Sequence, residues 1–168
     1  MNRFEELTRS HNRVGFDCGV QELNAFLHNF AHQNFKKGLS RTFVLTGEEV
    51  PEEILSFYTL SVFEVCARKL PRKFSKKYKG HLPAVKIARL AVAKALQNQG
   101  VGKHMIIDAI RRAIAISKHA GIIGLFVDAK NKDATQYYLK FGFIPLPDHP
   151  LELFLPLKTL EKMYVKVF

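Results

Sequence analysis

The chain has 168 residues, 47% of them hydrophobic and 14 of them phenylalanine, which is enough to bury a sizeable core in one domain and too apolar for a disordered chain. Its two cysteines, Cys18 and Cys66, stand apart and fit reduced thiols in a cytoplasm better than a disulfide framework. No apolar run approaches the ~20 residues of a membrane span, and the opening "MNRFEELTRS" has no signal-peptide core, so the expected location is the cytoplasm, with no membrane partner.

The net charge of +11 is not spread evenly. Between Glu64 and Asp108 there is no acidic residue, while Arg68, Lys69, Arg72, Lys73, Lys76, Lys77, Lys79, Lys86, Arg89, Lys94 and Lys103 fall in that window. The remaining 15 basic residues balance the 15 acidic ones. A field concentrated in this way attracts a polyanion, with a salt-dependent term for each phosphate neutralised.

In chain order, "FDCGVQELNAFLHNFAHQNF" (Phe16 to Phe35) carries Leu23, Phe26, Leu27, Phe30 and Ala31 at helical spacing and predicts an amphipathic helix. His28 and His32 lie four apart on it, but no third ligand follows, so no metal site is expected. "RTFVLTG" (Arg41 to Gly47) and "ILSFYTLSVFEV" (Ile54 to Val65) read as strands joined by an acidic turn. The basic stretch "LPRKFSKKYKGHLP" reads as an ordered loop or short helix, broken by Pro71, Gly80 and Pro83.

"AVKIARLAVAKA" (Ala84 to Ala95) is a compact apolar strand, and the glycine loop "QNQGVG" (Gln97 to Gly102) follows it. Met105, Ile106, Ala109, Ile110 and Ala113 then form an apolar stripe on a long helix from Val101 to Ala120, ended by Gly121. "IIGLFVDAK" predicts a strand, "NKDATQYYLKF" a short helix, and "GFIPL" and "LELFLPL" two more strands. The order gives an α/β domain with a mixed central sheet flanked by helices. The sheet should be antiparallel in its first half and parallel where the long helix crosses over.

A glycine turn that opens a helix leaves backbone N–H groups at the positive end of the helix dipole, which suits a phosphate. Gly100 and Gly102 remove the Cβ atoms that would block close approach, and Gln99, Val101 and Lys103 contribute amides whatever their side chains do. The spacing is neither a Walker A loop nor GxGxxG. Downstream, Tyr137 and Tyr138 are adjacent on a short helix, so at most one belongs to the core and the other can face a ligand. A tyrosine hydroxyl can return a proton to a thiolate leaving group.

These segments resemble the GCN5-related N-acetyltransferases. "QNQGVG" is similar to the family's Gln/Arg-x-x-Gly-x-Gly/Ala pyrophosphate loop, "ARLAV" to its bulged fourth strand, and "ATQYYLKFGF" to its closing motif. With "FDCGVQELNAFL", "RTFVL" and "FYTLS", the chain looks most like the tRNA-acetylating toxins of toxin–antitoxin systems. The resemblance implies acetyl-CoA as cosubstrate and aminoacyl-tRNA as acceptor, with translation arrest as the outcome. It also implies a ribbon-helix-helix antitoxin as partner, and a homodimer.

Residue by residue, the resemblance implies that backbone amides of Gln97, Asn98, Gln99, Gly100, Val101, Gly102 and Lys103 hold the pyrophosphate. The backbones of Leu90 and Val92 would hold the pantetheine arm, Asn131 would contact the cofactor, and Tyr138 would protonate the departing thiolate. Tyr137 would then pack in the core. Ala93 stands where many relatives carry an acid, and Glu64 is the one well-placed carboxylate, either a base or a structural ion-pair partner. His104 reads as a helix-surface residue. Arg68, Lys69, Arg72, Lys73, Lys76, Lys77 and Lys79 would lie along the RNA. The alternatives are the same chemistry on a small amine or a protein N-terminus, and a non-catalytic RNA-binding domain.

Overall fold

The computed structural model describes residues 3–167, with side chains from 4 to 163. Seven strands make one mixed sheet, in the order β1-β2-β3-β4-β5-β7-β6. They are β1 (Arg3–Glu6), β2 (Arg41–Thr46), β3 (Ile54–Cys66), β4 (His81–Val92), β5 (Gly124–Asp128), β6 (Ile144–Leu146) and β7 (His149–Pro156). The helices are α1 (Gln21–Ala25), α2 (Ala31–Lys36), α3 (Arg72–Ser75), α4 (Val101–Ser117), α5 (Lys132–Leu139) and α6 (Leu157–Val167), and a π-helical turn, Phe26–Phe30, joins α1 to α2. No helix among the described residues is long and apolar enough to cross a membrane. Contacts divide the chain into two compact units.

The first unit takes the residues up to Ser61 together with Ala88–Ala109. Here β1 pairs antiparallel with β2, and β2 with β3, setting Phe43 opposite Tyr58. Five of the six residues of β2 are buried, as expected of a strand covered on both faces. Phe16, Phe26, Leu27, Val44, Phe57 and Ala91 form the core on the α1–α2 side, where Phe57 meets the edge of Phe16 at 5.3 Å between centroids. The helix expected from Phe16 begins only at Gln21, because Asp17 organises a turn before it. One Asp17 carboxylate oxygen accepts from the Gly19 N–H at 2.8 Å and from Asn24 Nδ2 at 2.9 Å. Gly19 sits at φ +85°, open to glycine and strained for other residues. His28 Nε2 lies 3.0 Å from the Phe16 carbonyl, which makes it part of the same scaffold. Elsewhere in this unit the fully buried Tyr58 donates to the carboxylate of Asp108, which is also buried, joining β3 to α4.

The second unit takes Val62–Ile87 and the chain from Ile110 onward. β4 pairs parallel with β5, as the crossover through α4 requires, and β5 pairs antiparallel with β7 over five residues. Val65, Leu70, Ala84, Phe126, Leu146 and Phe154 form its core, with Phe126 and Phe154 stacked at 4.7 Å. A side chain at Gly124 would run into the Leu155 carbonyl and the Phe154 ring, so this strand start must be glycine. The basic stretch folds as a 3₁₀ turn (Ala67–Lys69) and the four-residue α3, the irregular ordered segment its prolines predict.

Several boundaries differ from the sequence expectation. β4 starts three residues early at His81 and stops at Val92, and a 3₁₀ turn (Lys94–Leu96) takes up the rest of the apolar run. α4 stops at Ser117 because its end tightens. Lys118 and His119 donate to the carbonyls three residues back, at 3.2 and 3.0 Å. β1 and α6 have no counterpart in the sequence reading. The former is four residues of mixed polarity, and the latter follows Pro156 directly, burying Leu160 completely.

Tyr58→Phe removes a charge-assisted bond to a buried carboxylate. It should lower unfolding free energy by about 1–3 kcal/mol in urea titrations, with little change in the denaturant slope.

Candidate active site

In the first unit, the residues singled out around the glycine loop form one continuous feature. The β4–β5 ladder consists of Val85, Lys86 and Ile87, so Ala88–Val92 lies outside it. The end of that free segment is held by Gln97, whose Nε2 donates to the carbonyls of Val92 at 2.9 Å and Cys18 at 2.8 Å. Lys94 adds a backbone bond to the Asp17 carbonyl (3.0 Å) and a side-chain ion pair to its carboxylate (3.2 Å), and the Ala93 N–H bonds to the Leu55 carbonyl. The bond from Asn24, then the Gly19 N–H and Lys94, hold the Asp17 carboxyl down to about 2. It is therefore an anion at any physiological pH.

Beyond this anchor the chain turns through Asn98 at φ +62° and Gly100 at φ +83°, and Gln97–Gly100 are all exposed. Gln99 braces the turn by donating from Nε2 to the Ala95 carbonyl at 2.9 Å. Val101 opens α4, and the first N–H groups of that helix, including those of Gly102 and Lys103, have no intrahelical acceptor. Lys103 and His104 are exposed on the first turn. The loop is thus rigid at its base and bare at its tip, with an aligned set of donors and a cation.

In the second unit, α5 carries the other group. Asn131 is its N-cap, with Oδ1 accepting from the Ala134 N–H at 2.9 Å. Tyr138 is buried, 8% exposed, with its ring edge-on to Phe143 at 5.7 Å and to Tyr137 at 5.8 Å. Among the described residues its hydroxyl has no hydrogen-bond partner. Burial first, and Tyr137 beside it second, push the Tyr138 hydroxyl up to about 12. Tyr137 was expected to be the core residue of the two; it is only half-buried, with its ring against Phe141 at 5.3 Å. The alternation on α5 puts Tyr138, with Thr135, on the inner face instead.

The basic surface is also in the second unit. Phe74 and Tyr78 pack inward, Phe74 meeting Phe154 edge-on at 5.2 Å, so Arg72, Lys73, Lys76, Lys77 and Lys79 point out and are exposed. Arg68 is exposed and hydrogen-bonds the Cys66 sulfur, which helps to pull that thiol's pKa down. Lys69 is engaged by Glu152 at 3.1 Å and Lys86 by Asp128 at 2.7 Å. Glu64 is exposed and makes no ion pair among the described residues, so the structural-partner reading finds no cation.

Comparison with known proteins decides the family. The model of the acetyltransferase (GNAT) family matches residues 20–143, from the residue before α1 to the residue before β6. The chain belongs to the GNAT acetyltransferases. The tRNA-acetylating toxin of Mycobacterium tuberculosis is 29% identical over 150 residues, covering 89% of each chain. The solved structure of AtaT complexed with acetyl-methionyl-tRNAfMet is 31% identical with a TM-score of 0.89, covering 98% of this chain and 99% of the other. A tyrosine-to-phenylalanine mutant of the AtaT toxin, bound to the C-terminus of the antitoxin AtaR and acetyl-CoA, is 28% identical with a TM-score of 0.81, covering 98% and 99%.

This GNAT chain is therefore an N-acetyltransferase that draws its acetyl group from acetyl-CoA. Two parts of the loop escaped the sequence reading. Gln97 was read for its amide, yet its side chain clamps two carbonyls, and Asp17 fixes the turn that Lys94 docks on. The signal for the second was present in Asp17-x-Gly19 with Asn24, an Asx turn feeding a helix. The clamp depends on residues 79 apart and left no local trace.

The unfolded Tyr138 phenol ionises near ~10 and the folded one near 12. The unfolded state loses its proton first, so the stability contributed here is present below ~10 and drains as pH rises through 12. An ultraviolet phenolate titration of the wild type minus Tyr138→Phe should resolve one group near 12. A group at the ordinary ~10 would contradict the burial.

Proposed function

We propose that this chain transfers acetyl from acetyl-CoA to the α-amine of an aminoacyl-tRNA, and so blocks translation as the toxin of a toxin–antitoxin pair. The carrying observation is the near-complete match to AtaT complexed with acetyl-methionyl-tRNAfMet, with 98% of this chain covered. The excess of basic residues in one window agrees with a phosphate-rich acceptor.

In this reading the chain is a single GNAT acetyltransferase domain. Backbone amides from Gln97 to Lys103 bind the pyrophosphate. The backbone at Leu90 and Val92, outside the β4–β5 ladder, takes the pantetheine arm like an added strand. Because Gln97 already occupies the Val92 carbonyl, the N–H of that residue is the better candidate for the thioester oxygen. Asn131, whose Oδ1 is committed to the helix cap, contributes through its Nδ2. The neutral amine attacks the thioester carbonyl, a C–N bond forms and a strand amide steadies the oxyanion. The C–S bond then breaks, Tyr138 gives its proton to the thiolate, and the amine proton leaves to water and restores the phenol. A hydroxyl held protonated to about 12 is in the donating form throughout physiological pH. An aminoacyl amine is weakly basic, so no strong base is needed, which suits Ala93 standing where relatives carry an acid.

Arg68, Arg72, Lys73, Lys76, Lys77 and Lys79 lie along the acceptor stem through its phosphates, with Lys69 contributing what Glu152 leaves of its charge. The same cations suit an acidic segment of a ribbon-helix-helix antitoxin. We place the protein in the cytoplasm as a homodimer.

Labelled acetyl from acetyl-CoA should appear on charged tRNA. Tyr138→Phe should reduce kcat by roughly 10²–10⁴-fold while acetyl-CoA binding by calorimetry is kept. Absence of label on every charged tRNA would sink the acceptor assignment. Replacing Lys73, Lys76 and Lys77 by Ala should raise KM for tRNA and flatten its salt dependence by about three phosphate contacts. If transfer is insensitive to salt, the acceptor is a small amine or a protein N-terminus.

A further inference from the structure

Of the cations in the basic window, Lys69, Lys86 and Lys94 have found carboxylates from elsewhere in the chain. Arg89 has not. Its side chain is half-buried on β4, and among the described residues it forms no ion pair or hydrogen bond. Its guanidinium lies over the Phe26 ring, 3.8 Å from the centroid. Burial without an anion lowers its pKa. A desolvated cation left in this state favours an anionic ligand that completes it.

That ligand has a place to sit. A groove of about 460 Å³ opens beside Arg89, lined by Glu22, Ala25, Phe26, Phe30 and Asn34, a size in the range of small-ligand sites. Phe30 is 51% exposed, a large ring turned to solvent on the groove wall. Phe26 and Phe30 are the two ends of the π-helical turn, a distortion that recurs at functional sites. The groove thus offers one open aromatic plane at Phe30, the Arg89 guanidinium backed by the buried Phe26 ring, and a half-buried amide at Asn34 that can both donate and accept. This is the chemistry of a nucleobase with its phosphate. Arg89 belongs to the segment Ala88–Val92, one residue from Leu90, so the groove flanks the stretch of strand left free of the β4–β5 ladder.

We propose that Phe30 and Arg89, the latter backed by the buried Phe26 ring, form a seat for an unpaired nucleotide at the 3′ end of the aminoacyl-tRNA, which positions the charged end for transfer. This rests on the aminoacyl-tRNA reading above. Phe30 supplies the stacking face and Arg89 the phosphate contact, and both are positioning residues for the acceptor.

The test compares the native protein with Phe30→Leu, Phe30→Tyr and Arg89→Gln, using charged tRNA for kinetics. Uncharged tRNA, with and without its unpaired 3′ nucleotides, serves for binding. Phe30→Leu and Arg89→Gln should raise KM for charged tRNA about 10- to 100-fold, leaving KM for acetyl-CoA unchanged. Phe30→Tyr, which keeps the ring, should behave as native. Arg89→Gln should also reduce the salt slope by about one phosphate contact. Trimming the 3′ end should weaken native binding and leave the Phe30→Leu protein indifferent. An unchanged KM for charged tRNA in both variants overturns the seat, as does a loss confined to antitoxin binding or self-association, which would assign the groove to a protein. Failure of the native protein to acetylate any charged tRNA counts against the acceptor reading instead; the trimming comparison then still decides whether the groove holds a 3′ nucleotide.

Discussion

Everything the loop offers to a cofactor depends on where β4 stops and what holds it there. Gln97 reaches back to the Val92 carbonyl and across to Cys18, so the end of the strand, the turn before α1 and the start of the glycine loop are fixed by one amide. Asp17 supports the same junction from the other side, bonded by Gly19, Asn24 and Lys94. With its base immobile, a loop can expose its N–H groups without closing on them. Positive φ at Asn98 and Gly100 turns the chain into α4. A phosphate can then be bound by donors that need no rearrangement, which is the condition for strong electrostatic binding at a helix start.

The tyrosine presents the opposite arrangement. The loop is exposed and its donors are backbone groups, whereas Tyr138 is buried among Tyr137 and Phe143 and its hydroxyl has no partner among the described residues. Burial raises its pKa, so the group stays protonated at physiological pH and its hydroxyl is held in the donating form. The loop presents open, aligned backbone donors and α5 a phenol on a buried side chain, so this GNAT chain carries the two features on different elements.

Charge shows how far a linear reading carries. The window from Glu64 to Asp108 looks uniformly basic, and the exposed side of α3 keeps that character. Folding nonetheless assigns Glu152 to Lys69, Asp128 to Lys86 and Asp17 to Lys94, carboxylates 83, 42 and 77 residues away in sequence. Arg89 receives an aromatic ring instead. Cations that look equivalent in the sequence thus divide into tethered, solvated and desolvated ones, and only the last two kinds have electrostatic energy to spend on a ligand.

The order of strands and helices, the parallel crossover through α4, the glycine loop and the motif tyrosine were readable because each is encoded by neighbours within a few turns of chain: hydrophobic period, turn residues, helix caps. The four-residue β1 was not, since its side chains alternate too weakly to signal a strand that only pairing with β2 creates. Nor was α6, whose helix begins at the residue where the strand pattern of "LELFLPL" still continues, nor the π-turn that carries Phe26 and Phe30. Which tyrosine turns inward, which cations lose their charge to a partner, and what anchors the loop were all settled by contacts between residues tens of positions apart. Sequence by itself therefore determined the family, through the resemblance of short motifs, and the glycine turn that opens α4, because both are written in residues close together along the chain. Tertiary structure alone decided the pairing, burial and exposure that make some of those residues available, because desolvation and ion pairing depend on distance in space and not on distance along the chain.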